Sequence, residues 1–133
     1  MKILVCGNPL VEKDAAAMKV AELLKNKVSG VQFEEFDSAE ELRGDKVFIL
    51  DVVKGLKKPK VIKNIDDIAS EKIYSMHDFD LGQSLKLLKK VGLVKNVTVF
   101  GVPEKIGKKT VEKIAEMINL TKASENKQKS NIQ

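Results

Sequence analysis

The sequence has 133 residues, 43% hydrophobic and 32% charged, the balance of an ordinary globular chain, and at this length a single core can bury about two-thirds of the unfolded surface without a disulfide or structural metal. One cysteine, Cys6, excludes an intramolecular disulfide and a thiolate zinc cluster, and no apolar run approaches the roughly 20 residues that cross a bilayer. The formal charge of +5 comes from 23 lysines and a single arginine, Arg43, with aromatics at only 5%, which fits a lysine-coated solvated surface better than a nucleic-acid reader built on arginine forks or stacked rings.

In chain order, Lys2 to Cys6 (KILVC) predicts a buried strand, too short for a typical helix and bounded by Gly7. Ala17, Val20, Ala21, Leu24 and Val28 then recur at helical spacing, opposite Lys19, Glu22 and Lys25. Gln32 to Phe36 predicts a second strand and Ser38 to Leu42 a helical turn. Lys46 to Asp51 (KVFILD) is the clearest strand, apolar through its middle and closed by an acid. A basic loop follows, KGLKKPK from Lys54 to Lys60, suited to meeting an acidic partner. Val61 to Ile65 reads as a short strand, and Asp66 to Met76 has no clean period. Leu81, Ser84, Leu85 and Leu88 give an amphipathic helix ending near Gly92. Asn96 to Phe100 (NVTVF) is another buried strand, halted at Gly101, and Val111, Ile114, Ala115 and Ile118 stripe a final helix.

From Thr121 the chain has one large hydrophobe and no period, so residues 1–120 are expected to form one domain and residues 121–133 a disordered or lightly held polar tail. The N-terminus lacks the pattern of a signal peptide, which makes the cytoplasm the expected location and a membrane an unexpected partner. Strands alternating with helices predict an α/β fold, a three-layer αβα sandwich with a mostly parallel sheet. Right-handed crossovers then bring Cys6, Asp51 and Gly101 to one rim, where open α/β sheets bind ligands.

Three residues carry the candidate chemistry. Asp14 stands at the opening of the first helix, where the structural alternative is an N-cap. Asp51 follows four large apolar residues, and its alternative is a loop cap. His77, the single histidine, precedes a helix that it or its neighbours Asp78 and Asp80 could cap. Together two carboxylates and an imidazole suit a borderline divalent ion such as nickel or zinc, and three ligands leave positions for water or substrate. Nucleophilic catalysis has less support, because Cys6 lies within a strand and no GxSxG elbow exists. GNPL as a phosphate loop would make the chain a nucleotide-binding domain, but it lacks both G-x-G-x-x-G and GK[ST].

GNPLVEKD after the first strand, KVFILD, SMHDFDLGQSLKLLKKVG and NVTVFGVPE, in this order and at these intervals, resemble the maturation endopeptidases of nickel-iron hydrogenases from Met1 to about Leu120. The resemblance implies a five-stranded, mostly parallel sheet. It also implies an aspartic or metal-dependent endopeptidase that removes the C-terminal extension of a hydrogenase large-subunit precursor after nickel insertion. Asp14, Asp51 and His77 match the family's metal-contacting positions, and the metal is nickel carried by the precursor, or another divalent ion in its place. The acidic opening turn then has a cation as its guest, with Asn8 and Gly7 shaping it. Three features depart from the family: Lys13 replaces the first member of an acidic pair, Ala15 and Ala17 stand where the family has glycines, and FDSAEEL is shorter than the usual loop after the second strand. Lys13 and the short loop favour the alternative of a non-cleaving relative that binds a nickel-bearing precursor or a divalent metal.

Overall fold

A computed structural model of the chain describes residues 1–6, 12–36, 42–53, 55–64, 66, 74–75 and 79–132. KILVC forms β1 (Lys2–Cys6), and the chain returns through α1 (Glu12–Leu24) to β2 (Gln32–Phe36). The KVFILD run lies within β3 (Gly44–Val52), and the basic loop leads to β4 (Lys60–Ile62). A small antiparallel pair, β5 (Tyr74–Ser75) and β6 (Phe79–Asp80), precedes α2 (Leu81–Lys90). NVTVF lies within β7 (Val94–Val102), which feeds the long α3 (Lys108–Ile132).

The main sheet has the order β2-β1-β3-β7-β4, with β4 antiparallel to β7 and every other pair parallel. This is the expected five-stranded sandwich. β3 and β7 read as apolar runs because their inner halves are covered on both faces. One face carries Ile3, Val5, Leu50, Phe100 and Val102 against Val20 and Leu24 of α1 and Val111, Ile114 and Ile118 of α3. The other carries Leu4, Val47, Ile49, Val97 and Val99 against Leu85 of α2. Each fully buried Leu or Ile on these faces contributes about 1.5–3 kcal/mol relative to exposure.

The chain after Thr121 is not a loose tail: α3 continues through it to Ile132. Its anchors are polar, which is why no apolar period marks them. Thr121 is buried and donates through Oγ1 to the Met117 carbonyl at 2.9 Å. The Lys122 ammonium donates to the Ser29 carbonyl. Lys46 Nζ, reaching up from β3, donates to Glu125 Oε2 at 2.6 Å and to Gln128 Oε1 at 2.9 Å.

At its other end α3 is capped by Gly107, whose carbonyl accepts from the amides of Thr110 and Val111 at 3.1 and 3.4 Å. Thr110 Oγ1 reaches back to accept the Gly107 N–H at 3.1 Å, one half of a capping box. The first turn nevertheless holds Lys108 and Lys109 and no acid, the charge sign that the helix dipole disfavours at an N-terminus.

Two expectations fall largely outside the described residues. Of Ser38 to Leu42 only Leu42 is described, and it is fully buried outside any helix. Of Asp66 to Met76 the described residues are Asp66, Tyr74 and Ser75, the last two forming β5. The predicted Val61 to Ile65 strand is the three-residue β4, beginning at Lys60.

Candidate active site

The parallel order places β1 and β3 side by side while their connections leave in opposite directions, to β2 on one side and to β4, beyond β7, on the other. Such a switch point opens a crevice at the carboxyl ends of the strands. Asp51 stands there, at the end of the central strand β3, and is 3% exposed. A carboxylate this far out of water must be held by hydrogen bonds or a counter-charge. Its Oδ1 accepts the Val52 N–H at 2.8 Å. The local strand geometry explains why that amide is available. The Val53 N–H reaches across to the Val102 carbonyl of β7 at 2.9 Å, so the preceding amide points the other way, toward β1. The β1 register ends at Val5↔Leu50, and the Asp51 side chain takes the donor that β1 no longer reaches.

Strand alternation puts Asp51 on the face of Val47 and Ile49, the α2 side. Its register partner on β7 is Gly101. A Cβ on Gly101 would lie 2.9 Å from Leu56 Cδ1, 3.1 Å from Val53 Cγ2 and 3.3 Å from the Lys60 carbonyl oxygen. The basic loop therefore folds down beside the acid. It does so through a tight turn in which the Leu56 N–H meets the Val53 carbonyl at 3.3 Å and Gly55 takes φ 88°, a left-handed conformation open to glycine at little cost. The glycine that interrupts the apolar run NVTVFG was the sequence signal for this close approach. The covering role of Leu56 and Val53 had no signal of its own.

Asp14 is the third residue of α1, so its backbone belongs to the first helical turn and it is not the N-cap; its side chain lies outside what the structure describes. α1 leaves the carboxyl end of β1 and packs on β1 and β3, which sets that first turn at the same rim. His77 lies outside the described residues, as does Asp78, between β5 and β6, which pair Tyr74↔Asp80 and Ser75↔Phe79. Asp80 ends β6 and is followed directly by α2. Because α2 leads back to the start of β7, its first turn and the small hairpin packed on it lie toward the rim of Asp51, on the face that Asp51 shares. Among the described residues no group of three or more His, Cys, Asp or Glu side chains comes together. Two of the three candidate ligands are outside that set.

Two clefts of ≈ 240 and ≈ 270 Å³ open at the other end of the sheet, where β3 and β7 begin, and Asp51 borders neither. The first is lined by Lys46, Asn96 and Glu125 among others, the second by Lys63, Lys89 and Lys95.

Residues 34–123 match the family model described as hydrogenase maturation protease. The chain belongs to that family. The matched region contains Asp51 and His77 and starts after Asp14. The fold of this family member is shared with solved structures. The hydrogenase maturating endopeptidase HybD from E. coli superposes with a TM-score of 0.62 at 19% identity, over 89% of this chain and 90% of that one. The hydrogenase 3 maturation protease gives a TM-score of 0.58 at 22% identity, over 89% and 86%. An endopeptidase from Escherichia coli gives 0.55 at 24%, over 87% and 86%. Comparison with curated protein sequences returns no match. No helix among the described residues is long and apolar enough to cross a membrane.

Proposed function

We propose that this family member is an endopeptidase that removes the C-terminal extension of a nickel-iron hydrogenase large-subunit precursor once nickel is in place. The reading is carried by the buried carboxylate of Asp51 at the switch point of a chain that matches the maturation protease model. Nickel, or a divalent ion substituting for it, is cargo of the substrate, contacted by Asp14, Asp51 and His77. The donor chemistry fits such an ion, since two carboxylate groups and an imidazole are oxygen and nitrogen donors without thiolate. Cleavage breaks the scissile C–N bond and adds water across it, the hydroxyl going to the carbonyl carbon and a proton to the departing amine. A carboxylate oxygen of Asp14 or Asp51 that is not bound to the ion can take the proton from that water. The reaction is placed in the cytoplasm.

Incubation with nickel-loaded precursor, followed by mass spectrometry, tests the proposal. The expected product is a precursor shortened at its C-terminus. An intact precursor, alongside full processing by an active family member under the same conditions, would falsify it. Lys13 and the short FDSAEEL segment favour a second reading, a relative that binds the precursor without cutting. A pull-down that captures precursor of unchanged mass is its signature.

A further inference from the structure

The lysines of this chain differ in how they are balanced. Where β3 and β7 begin, Lys46 is held by Glu125 and Lys95 lies 3.6 Å from Asp45. Lys2 and Lys25 likewise face Glu34 and Glu22. Other lysines form no ion pair among the described residues, Lys63, Lys89 and Lys90 toward the end where β3 and β7 begin and a group of five at the rim of Asp51. The five, Lys57, Lys58, Lys105, Lys108 and Lys109, are exposed.

The sheet brings these five together. The antiparallel register Lys60↔Gly101 brings the segment leading into β4, with Lys57 and Lys58, to the end of the sheet where β7 gives way to Pro103, Glu104 and Lys105. α3 opens three residues later with Lys108 and Lys109. Glu104 is the one acid within 57–60 and 103–109. Two of these lysines stand in a helical first turn that favours the opposite charge. Their exposure excludes a packing role, so positive charge gathers on these two segments without an ion-pair partner among the described residues.

We infer that this corner docks an acidic polypeptide segment of the protein presented to Asp51. The inference rests on the functional reading above, which makes that protein the hydrogenase precursor. A nucleic acid fits less well, because 57–60 and 103–109 contain neither arginine nor an aromatic residue. A membrane surface fits less well too: among the described residues the exposed large hydrophobics are Leu23, Leu87, Val91, Leu93 and Leu120, none of them in this corner.

The experiment compares the full chain with two five-site variants of equal net charge. One carries Lys57→Gln, Lys58→Gln, Lys105→Gln, Lys108→Gln and Lys109→Gln. The other carries Lys19→Gln, Lys27→Gln, Lys89→Gln, Lys90→Gln and Lys127→Gln at exposed positions elsewhere. Association with immobilised nickel-loaded precursor is followed by biolayer interferometry at about 50 and about 500 mM salt. The corner variant should associate about tenfold or more slowly at low salt, a gap that closes at high salt, while the control variant stays near the parent. Equal behaviour of the two variants overturns the docking face and leaves the functional reading intact if the parent binds and shortens the precursor. If the parent neither binds nor shortens it, the functional reading falls and the inference with it. Fluorescence anisotropy with a mixed-sequence RNA supplies the last arm: loss of RNA binding by the corner variant with precursor binding unchanged also overturns the inference.

Discussion

Asp51 and Gly101 are register partners across the β3–β7 pair, and the space that a side chain on Gly101 would fill is taken by Leu56 and Val53. The acid on one strand and the missing side chain on the next form one arrangement. The glycine lets the loop after β3 close down beside the carboxylate, and closure accompanies the burial of Asp51 among strand residues whose other buried side chains, within the described chain, are apolar.

Asp51→Asn keeps a carbonyl oxygen for the Val52 N–H while removing the charge. Denaturant unfolding should place this variant near the parent, and the mass-spectrometric assay should show processing abolished. Asp51→Ala also removes the acceptor and should lower stability by about 1–3 kcal/mol, because a buried amide is left unpaired. Processing that persists in the asparagine variant would sink the role assigned to the carboxylate.

Gly101→Ala should destabilise the fold by about 1–3 kcal/mol, the range for overpacking a tight interior. The new Cβ meets a backbone oxygen as well as two side chains, so rotamer changes alone do not relieve it. Urea unfolding reads the effect. A midpoint equal to the parent's would show that the loop shifts freely.

Asp14→Asn and His77→Ala are each expected to abolish processing with far-ultraviolet circular dichroism unchanged. Both alter donor atoms of the proposed nickel contact without asking for a different backbone. Retention of activity by the pair combined with Asp51→Asn would remove the site altogether.

Ending the chain after Leu120 deletes Thr121, Lys122 and Glu125 and with them the links to Met117, Ser29 and Lys46. Thermal unfolding should report a loss of about 1–2 kcal/mol, since the Lys46–Glu125 pair is partly exposed and the remaining bonds are single. An unchanged midpoint would mean that the second half of α3 rests on the domain without holding it.

Much of the fold was legible because buried parallel strands announce themselves as apolar runs between glycines, as KILVC, KVFILD and NVTVFG do. β1 and β2 match their predicted spans, and β3 and β7 contain theirs and extend beyond them at both ends. Asp51 was legible for the same reason: an acid closing such a run must either leave the sheet or be built into it. The second half of α3 was not, because Thr121, Lys122 and Glu125 attach it through polar atoms and polar anchors leave no hydrophobic period. The hairpin of β5 and β6 was equally silent, as strands of two residues are too short to show alternation.

The outer strands of the sheet carry one more implication. β2 shows Glu34 and Glu35 to solvent, and β4 is three residues long, opening at the exposed Lys60 and followed by the exposed Lys63. A foreign strand adding to either margin would have to lay its backbone along carboxylates on one side or ammonium groups on the other, with little ladder to gain from β4. The molecule is thereby protected against runaway polymerisation through its own sheet, and lasting association with other chains is left to its helices and loops.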